Sequence, residues 1–352
     1  MRIRRSFPIL LGVLVVAGAV ALVVVLRKHA PPEAARLLPG ADGFVYVDLK
    51  WMRRINSLGD LPQVHRDPEY EQFIQATGFD AERDLEEAAV AIHYPASVPG
   101  APKNGEGANF SGVFVGHFQT ERLDAYLKKA ANAAESYRSA EIYSIPLEDL
   151  TFRVAVLGVN SVAVSDVADP QIVRGMIDRS RKLASPFGGP ALLRQYYKEV
   201  PLASLAWGVL RVRAASDNGS AGPMSLSFLF AKPAVVVASV RYLGSVHLRA
   251  AAFTDSEDDA ARLTEKLGAF LDLFRAAQAA APPSGTDADV KALVSSLKIT
   301  QQKDRAVLTA IAPSGFVRKI FAGNPAGLPA EVPPPAAPVK TPPAPAGRKK
   351  HR

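Results

Sequence analysis

The sequence predicts an α+β ectodomain of two similar halves, held to a membrane by one N-terminal helix. Three observations predict it. Phe7 to Leu26 (FPILLGVLVVAGAVALVVVL) runs without a charge or a strongly polar group. Beyond it, strand patterns come in adjacent runs with amphipathic helices between them, which favours antiparallel or mixed sheets backed by helices over a parallel α/β alternation. The order of these patterns begins again near residue 185, so the chain divides into residues 41–184 and 185–322.

As a helix, Phe7–Leu26 spans about 30 Å, the thickness of a hydrocarbon core. A cleavable signal peptide needs a shorter apolar run followed by a small-x-small site. Here the only such triplets, Ala17-Gly18-Ala19 and Ala19-Val20-Ala21, lie inside the run, which ends in Leu26-Arg27-Lys28. The pattern is that of an uncleaved signal anchor, with the lipid bilayer as partner of residues 7–26. Arg2, Arg4 and Arg5 before the run outweigh Arg27 and Lys28 after it. The positive-inside rule then leaves residues 1–6 in the cytoplasm, and the ectodomain on the periplasmic side of the inner (cytoplasmic) membrane. The margin is one cation, so the reverse topology stays open.

Residues 27–40, with Pro31, Pro32 and an Ala-rich stretch, read as a stalk. Gly43–Leu49 alternates and is rich in β-branched and aromatic residues, hence a strand. Pro68–Ala76 reads as a short helix capped by Asp67 and stopped at Gly78, with a further helical turn over Asp80–Ala88. Ala89–Tyr94 and Gly112–Phe118 are strands separated by the Pro/Gly/Asn-rich loop 95–111. Thr120 is placed to cap a helix over Glu121–Tyr137, whose apolar residues recur at three and four. Strands follow at Glu141–Ile145, Phe152–Leu157 and Ser161–Ser165, then a helix opened by Asp169-Pro170.

The second half repeats this order: a short helix over Ala191–Glu199, strands at Leu205–Val212, Ala234–Tyr242 and Ser245–Phe253, and a helix capped by Asp255 or Ser256. A helix at Val290, strands at Ser296–Thr300 and Ala306–Ile311 and a helix over Pro313–Phe321 complete it. The internal repeat aligns Phe118 with Phe253, Phe152–Leu157 with Ala306–Ile311, and Pro170, Val173-Arg174 and Ile177 with Pro313, Val317-Arg318 and Ile320. Met224–Ala231 is apolar after a flexible Gly219–Pro223 and reads as a core strand or as an exposed loop touching a partner or lipid. Residues 323–352, rich in Pro, Ala and Lys, cannot bury enough apolar surface to fold and read as a disordered tail.

The formal charge of +8 is not a nucleic-acid signature. Residues 1–28 and 323–352 hold ten of the 42 basic residues and one of the 34 acidic ones, so the part between is nearly neutral. With no cysteine, disulfides, thiolate metal sites and cysteine nucleophiles are excluded. No P-loop, H-E-x-x-H or G-x-S-x-G pattern is present. No catalytic, metal or cofactor residue is therefore assigned. His93 and His117 lie on neighbouring strands, and an enzyme would need them to converge with an acid; the plain reading is of two ordinary strand histidines. The acid pairs Glu86-Glu87 and Asp258-Asp259 fall on expected helices, and Asp287 and Asp289 sit where a helix starts, a usual capping place. The remaining candidate is the end of the tail, where Arg348, Lys349, Lys350 and Arg352 suit an anionic envelope surface or an acidic protein.

Leu38–Leu49 (LPGADGFVYVDL) and Phe73–Leu85 (FIQATGFDAERDL), together with Pro201–Trp207 (PLASLAW) and Ala238–Leu248 (ASVRYLGSVHL), resemble an uncharacterised bacterial family of membrane-anchored exported proteins of unknown function. The resemblance implies an envelope location and transfers no site residue. The function expected is a non-enzymatic binding or scaffolding ectodomain. The alternatives are a carrier or sensor holding a lipid or other apolar ligand in a groove, and an enzyme around His93 and His117.

Overall fold

The structure, a computed structural model, describes residues 30–55, 68–94, 108–181, 189–212, 229–280 and 288–321. The anchor 7–26, most of the 95–111 loop, residues 224–228 and the tail with Arg348, Lys349, Lys350 and Arg352 lie outside the described residues. So do the expected cap Asp67 and Asp287. Among the described residues, no helix is long and apolar enough to cross a membrane.

The fold is mixed α+β, built on one antiparallel sheet of twelve strands backed by helices. In chain order the strands are β1 (Gly43–Asp48), β2 (Leu85–His93), β3 (Asn109–Gly116), β4 (Ala133–Tyr137), β5 (Ala140–Leu147), β6 (Leu150–Gly158), β7 (Ser161–Ser165), β8 (Ser204–Val212), β9 (Ala234–Tyr242), β10 (Val246–Phe253), β11 (Lys298–Gln302) and β12 (Arg305–Ala312). Their order across the sheet is β11-β12-β10-β9-β8-β1-β2-β3-β7-β6-β5-β4. The expectation of more than one sheet is thus corrected. Strands before residue 166 fill one flank and strands after residue 203 the other, and the antiparallel β1–β8 pair fuses the two.

Alternation along the strands divides the core between two faces. On the first face Phe44, Ala91 and Val209, which are register partners across β1, β2 and β8, join the main hydrophobic cluster. Helices α1 (Glu33–Leu37), α6 (Gln171–Ser180) and α7 (Ala191–Tyr196) pack there. On the second face α5 (Thr120–Ala130) sets Leu123 and Leu127 on Tyr143, Val154 and Val162, with α3 (Pro68–Thr77) beside it. Across the other flank of that face lie α8 (Glu257–Ala280), α9 (Ala288–Ser296) and α10 (Ser314–Phe321), with α2 (Leu49–Arg54) near the sheet's centre.

Four local expectations are corrected. The stalk reading of 27–40 fails at Glu33–Leu37: α1 buries Ala34 and Ala35 completely against the sheet and α6. Alanine's small side chain lets a helix lie close to the strands, and a composition that looks like a linker is in fact the seat of a helix. The helix expected over Glu121–Tyr137 stops at Ala130, begins with Thr120 as a helical residue rather than a cap, and gives way to β4. Alanine's helix preference amounts to a few tenths of a kcal/mol per residue. It loses here to the ladder with β5 and to a turn through Arg138 and Ser139, both at positive φ (48° and 62°) as a two-residue hairpin requires. Tyr137 then lies under the Arg174 guanidinium and donates to Asp178 Oδ2 at 3.1 Å.

The helical turn expected over Asp80–Ala88 is only α4 (Ala81–Asp84), capped by Asp80 accepting from Glu82 N. Glu86-Glu87 therefore belongs to β2, not to a helix. Asp259 does lie in α8, yet it does not simply face solvent. It accepts from Lys232 at 2.9 Å and Arg262 at 2.6 Å, and Ser256 caps the helix at Asp259 N. These partners hold the Asp259 carboxyl far below the usual carboxylate range, which makes it a structural clasp between the β8–β9 connection and α8.

Candidate functional site

His93 and His117 do not converge. In the β2–β3 hairpin His93 pairs with Asn109 while Leu85 pairs with Gly116, so the two histidines sit at opposite ends. At roughly 3.3 Å per residue they are about 25 Å apart. His117 is exposed, with Nε2 3.4 Å from Glu86 Oε1, an oxygen that also accepts from Lys50 at 2.5 Å. Among the described residues no group of three or more His, Asp or Glu could hold a metal ion.

His93 is buried (4% exposed), and its Nε2 lies 3.0 Å from Ser111 Oγ. Ser111 Oγ lies 2.9 Å from Ser165 Oγ, which donates to Phe110 O at 3.2 Å and accepts from Val167 N. With the Ser165 hydrogen directed at Phe110 O, the chain of donors runs His93 to Ser111 to Ser165. His93 then carries its proton on Nε2 and donates it, so it is not a base for Ser111. Burial pushes the imidazole pKa down, against a weaker opposing pull from Asp42 and Asp166. A serine beside a histidine is here a satisfied core network.

A different cluster assembles where β1 ends. Tyr46 and Asp48, two apart on β1, share the first face. Asp48 and Glu87 are register partners across β1–β2, and Tyr46 lies diagonal to Glu87 in the same ladder. Tyr46 stacks on Trp207 (5.4 Å, 19°), and Tyr197 meets Trp207 edge-on (5.2 Å, 68°). Asp48 Oδ1 accepts from Trp51 N at 2.8 Å and so caps α2. Beside these groups lies a cleft of about 140 Å³, walled by Tyr46, Asp48, Tyr197, Trp207, Ser204 and Pro32. Ala203 on its rim adopts a left-handed φ of 59°, which turns Leu202 out into solvent.

The electrostatics where β1 ends are unbalanced. Burial pushes the Glu87 carboxyl above its ordinary range, and the charges of Asp48 and Glu86 add to the effect. Burial likewise raises Asp48, more than the Trp51 amide and the cations Lys50 and Arg54 lower it. The Tyr46 hydroxyl is pushed far above the usual tyrosine range by burial and then by Glu87. Among the described residues no ion pair joins a cation to Asp48 or Glu87, and Lys50 is engaged with Glu86.

Sequence reading missed this cluster because Glu86-Glu87 was assigned to a helix. The available signal was period two: Tyr46 and Asp48 had to share a face of the strand Gly43–Leu49. A larger, open trough of about 550 Å³ lies between α3 and α5, lined by Gln72, Ala76, Arg122, Tyr126 and Lys129. Its guanidinium is already engaged, with Arg122 Nε donating to Ala76 O at 3.1 Å. Neither cleft is an enclosed apolar pocket.

No family model matches the chain and no curated protein matches it, in keeping with a resemblance to an uncharacterised family that carries no site motif. Among solved structures the chain is similar to three crystal forms of TP0453. Form IV superposes with a TM-score of 0.42 at 7% identity, covering 82% of this chain and 95% of that one. Form III gives 0.40 at 6%, covering 84% and 99%, and form I gives 0.41 at 8%, covering 83% and 98%.

Proposed function

We propose that this chain is a single-pass, membrane-anchored envelope protein whose extracytoplasmic domain binds rather than catalyses, through the cleft at Tyr46, Asp48 and Trp207. One observation carries the reading: Pro32 forms part of the cleft wall. Pro32 follows the last residue of the apolar run, Leu26, by six positions, and a chain of that length reaches at most about 20 Å. If Phe7–Leu26 spans the bilayer, the cleft is held at the membrane surface. The non-enzymatic reading is supported by the separation of His93 from His117 and by the direction of the His93–Ser111 hydrogen bond.

The topology is tested by fusing a reporter active only outside the cytoplasm after Arg352. Signal, together with a gel mobility matching the uncleaved chain, is expected. Activity of a cytoplasmic reporter, or loss of the N-terminal segment, overturns the reading.

We further read the two flanks as a duplication. In each, a three-strand meander (β1-β2-β3, β8-β9-β10) leads into a crossover helix (α5, α8). The third strand of the meander is then bordered by the last strand of its half (β7, β12), which precedes a closing helix (α6, α10). This equates Ser161–Ser165 with Arg305–Ala312, in place of the sequence alignment of Phe152–Leu157. The tail residues Arg348, Lys349, Lys350 and Arg352 are proposed to contact an anionic envelope surface or acidic protein, at about 1 kcal/mol per cation near an anionic membrane. Binding to anionic vesicles should weaken steeply with salt and vanish on truncation after Pro345. Equal binding by truncated and full-length chains sinks that role.

A further inference from the structure

We propose that the end of the sheet where β1 stops rests on the lipid surface, with Trp51, Leu202 and Leu243 seated among headgroups and upper acyl chains. This contact rests on the anchored reading above and gives the bilayer a second point of attachment besides residues 7–26.

Strand register brings the three residues to one end. β1 is flanked by β8, with Val47 opposite Ala206, and β8 by β9, with Ser204 opposite Arg241. Leu202 precedes Ser204 by two residues and Leu243 follows Arg241 by two, so both lie past the same end of the sheet. Trp51 follows β1 in the first turn of α2, its backbone N–H on Asp48 Oδ1. Three neighbouring strands span only about 10 Å. Trp51 and Leu202 are each 55% exposed and Leu243 61%. Val159, 81% exposed, tips the β6–β7 hairpin at this end too, where Gly116 N donates to Asn160 O at 2.9 Å.

The turns do not demand these side chains. Turn positions favour Gly, Asn, Asp and Ser. The left-handed conformation falls on the next residue each time, Ala203 (φ 59°) after Leu202 and Gly244 (φ 80°) after Leu243. That φ is unfavourable for alanine, and the turn it makes holds a leucine out in water. Single exposed leucines are ordinary, but a row of apolar tips on one end of a sheet marks a contact surface.

Two observations select lipid over a second copy. The chain enters at this end: Pro32 walls the same cleft as Leu202 and Asp48. Six residues separate it from Leu26, a reach of about 20 Å at most. A surface so near the anchor faces the bilayer on whichever side the domain lies. In addition, α2 carries Lys50, Arg53 and Arg54 and no acid, and the Arg54 guanidinium lies 5.9 Å over the Trp51 ring. Tryptophan and cations are the side chains that the headgroup layer favours.

The chain has no cysteine, so a nitroxide can be placed at one chosen site. The full chain carrying Leu202→Cys, Leu243→Cys or, as a control, Leu150→Cys is labelled and reconstituted in phosphatidylethanolamine–phosphatidylglycerol discs. Leu150 opens β6, whose other end meets the β6–β7 turn about 25 Å away. Oxygen partitions into acyl chains and a nickel chelate stays in water, so their relative relaxation of each label reads its depth. In discs holding one chain each, the first two labels are expected to gain oxygen collisions and lose nickel collisions relative to the control. Brominated acyl chains should quench Trp51, and Trp51→Phe should lose the quenching, because the remaining Trp207 is buried. Leu202→Asp with Leu243→Asp, both at exposed sites, should also abolish it, with circular dichroism unchanged.

Nickel access at the first two labels equal to that at the control overturns the proposal. Labels shielded from both probes in crowded discs but wet in singly occupied ones assign the patch to a second copy, which also overturns it. A topology reporter that signals alongside wet labels keeps the anchor and removes the contact. A reporter that fails alongside lipid-exposed labels reverses the orientation and leaves the contact standing.

Discussion

Asp48 and Glu87 face one another across the β1–β2 ladder, two carboxyls whose ionisation the fold resists. A carboxyl whose folded pKa lies above its unfolded value disfavours folding once pH exceeds the folded pKa, and the penalty disappears below the unfolded one. Glu87→Gln should therefore raise stability at pH 7 by about 0.5 kcal/mol, the scale of an opposed like-charge pair. The gain should shrink toward zero as pH falls through the carboxyl range. Thermal melts of parent and variant at pH 7 and pH 4 check both the sign and the loss.

His93 gives the opposite slope. Its folded pKa is depressed by burial, so the unfolded chain binds the proton more readily and stability falls as pH drops below the unfolded value near 6.5. His93→Gln should flatten the dependence of Tm on pH between 7 and 5. His93→Ala should cost about 2 kcal/mol by stranding Ser111, whereas exposed His117→Ala should stay within about 0.5 kcal/mol. Denaturant titrations at pH 7 separate the two.

The β4–β5 turn holds two non-glycine residues at positive φ. Ser139→Gly relieves the left-handed penalty at one of them and should stabilise the chain by about 1 kcal/mol while leaving the Arg138–Asp178 ion pair (2.9 Å) in place. Loss of stability would mean that β4 is not paired in this register.

α1 is expected to behave as core. Ala35→Leu, at a site with no exposed surface, should cost about 1–3 kcal/mol by overpacking. A true stalk residue would show no change in chemical denaturation.

Most strands were legible because their alternation is strong. Ser161–Ser165 and Ala234–Tyr242 are found at the bounds read from sequence, and Gly78 closes α3 at a φ of 73° as a stop should. What escaped was set by partners distant in sequence. Alanine-rich segments carry little pattern, so whether Ala34-Ala35 is a linker or a buried helix depends on the strands it meets, and whether Ala133-Ala134 is helix or strand depends on β5. The cleft escaped for a related reason: Glu87 joins Asp48 only through the register of β1 with β2, and Trp207 joins Tyr46 only through β8.

A single sheet of twelve strands has just two rims. One is β4 and the other β11, each five residues long, the latter spelling Lys298-Ile299-Thr300-Gln301-Gln302 and mostly exposed. Open backbone along a rim is where a second copy adds its own strand, and brevity, charge and polar side chains blunt that tendency. Had the two flanks been separate sheets, there would be four such rims, two of them formed by the largely apolar strands β1 and β8. Joining β1 to β8 hides those edges from neighbouring copies.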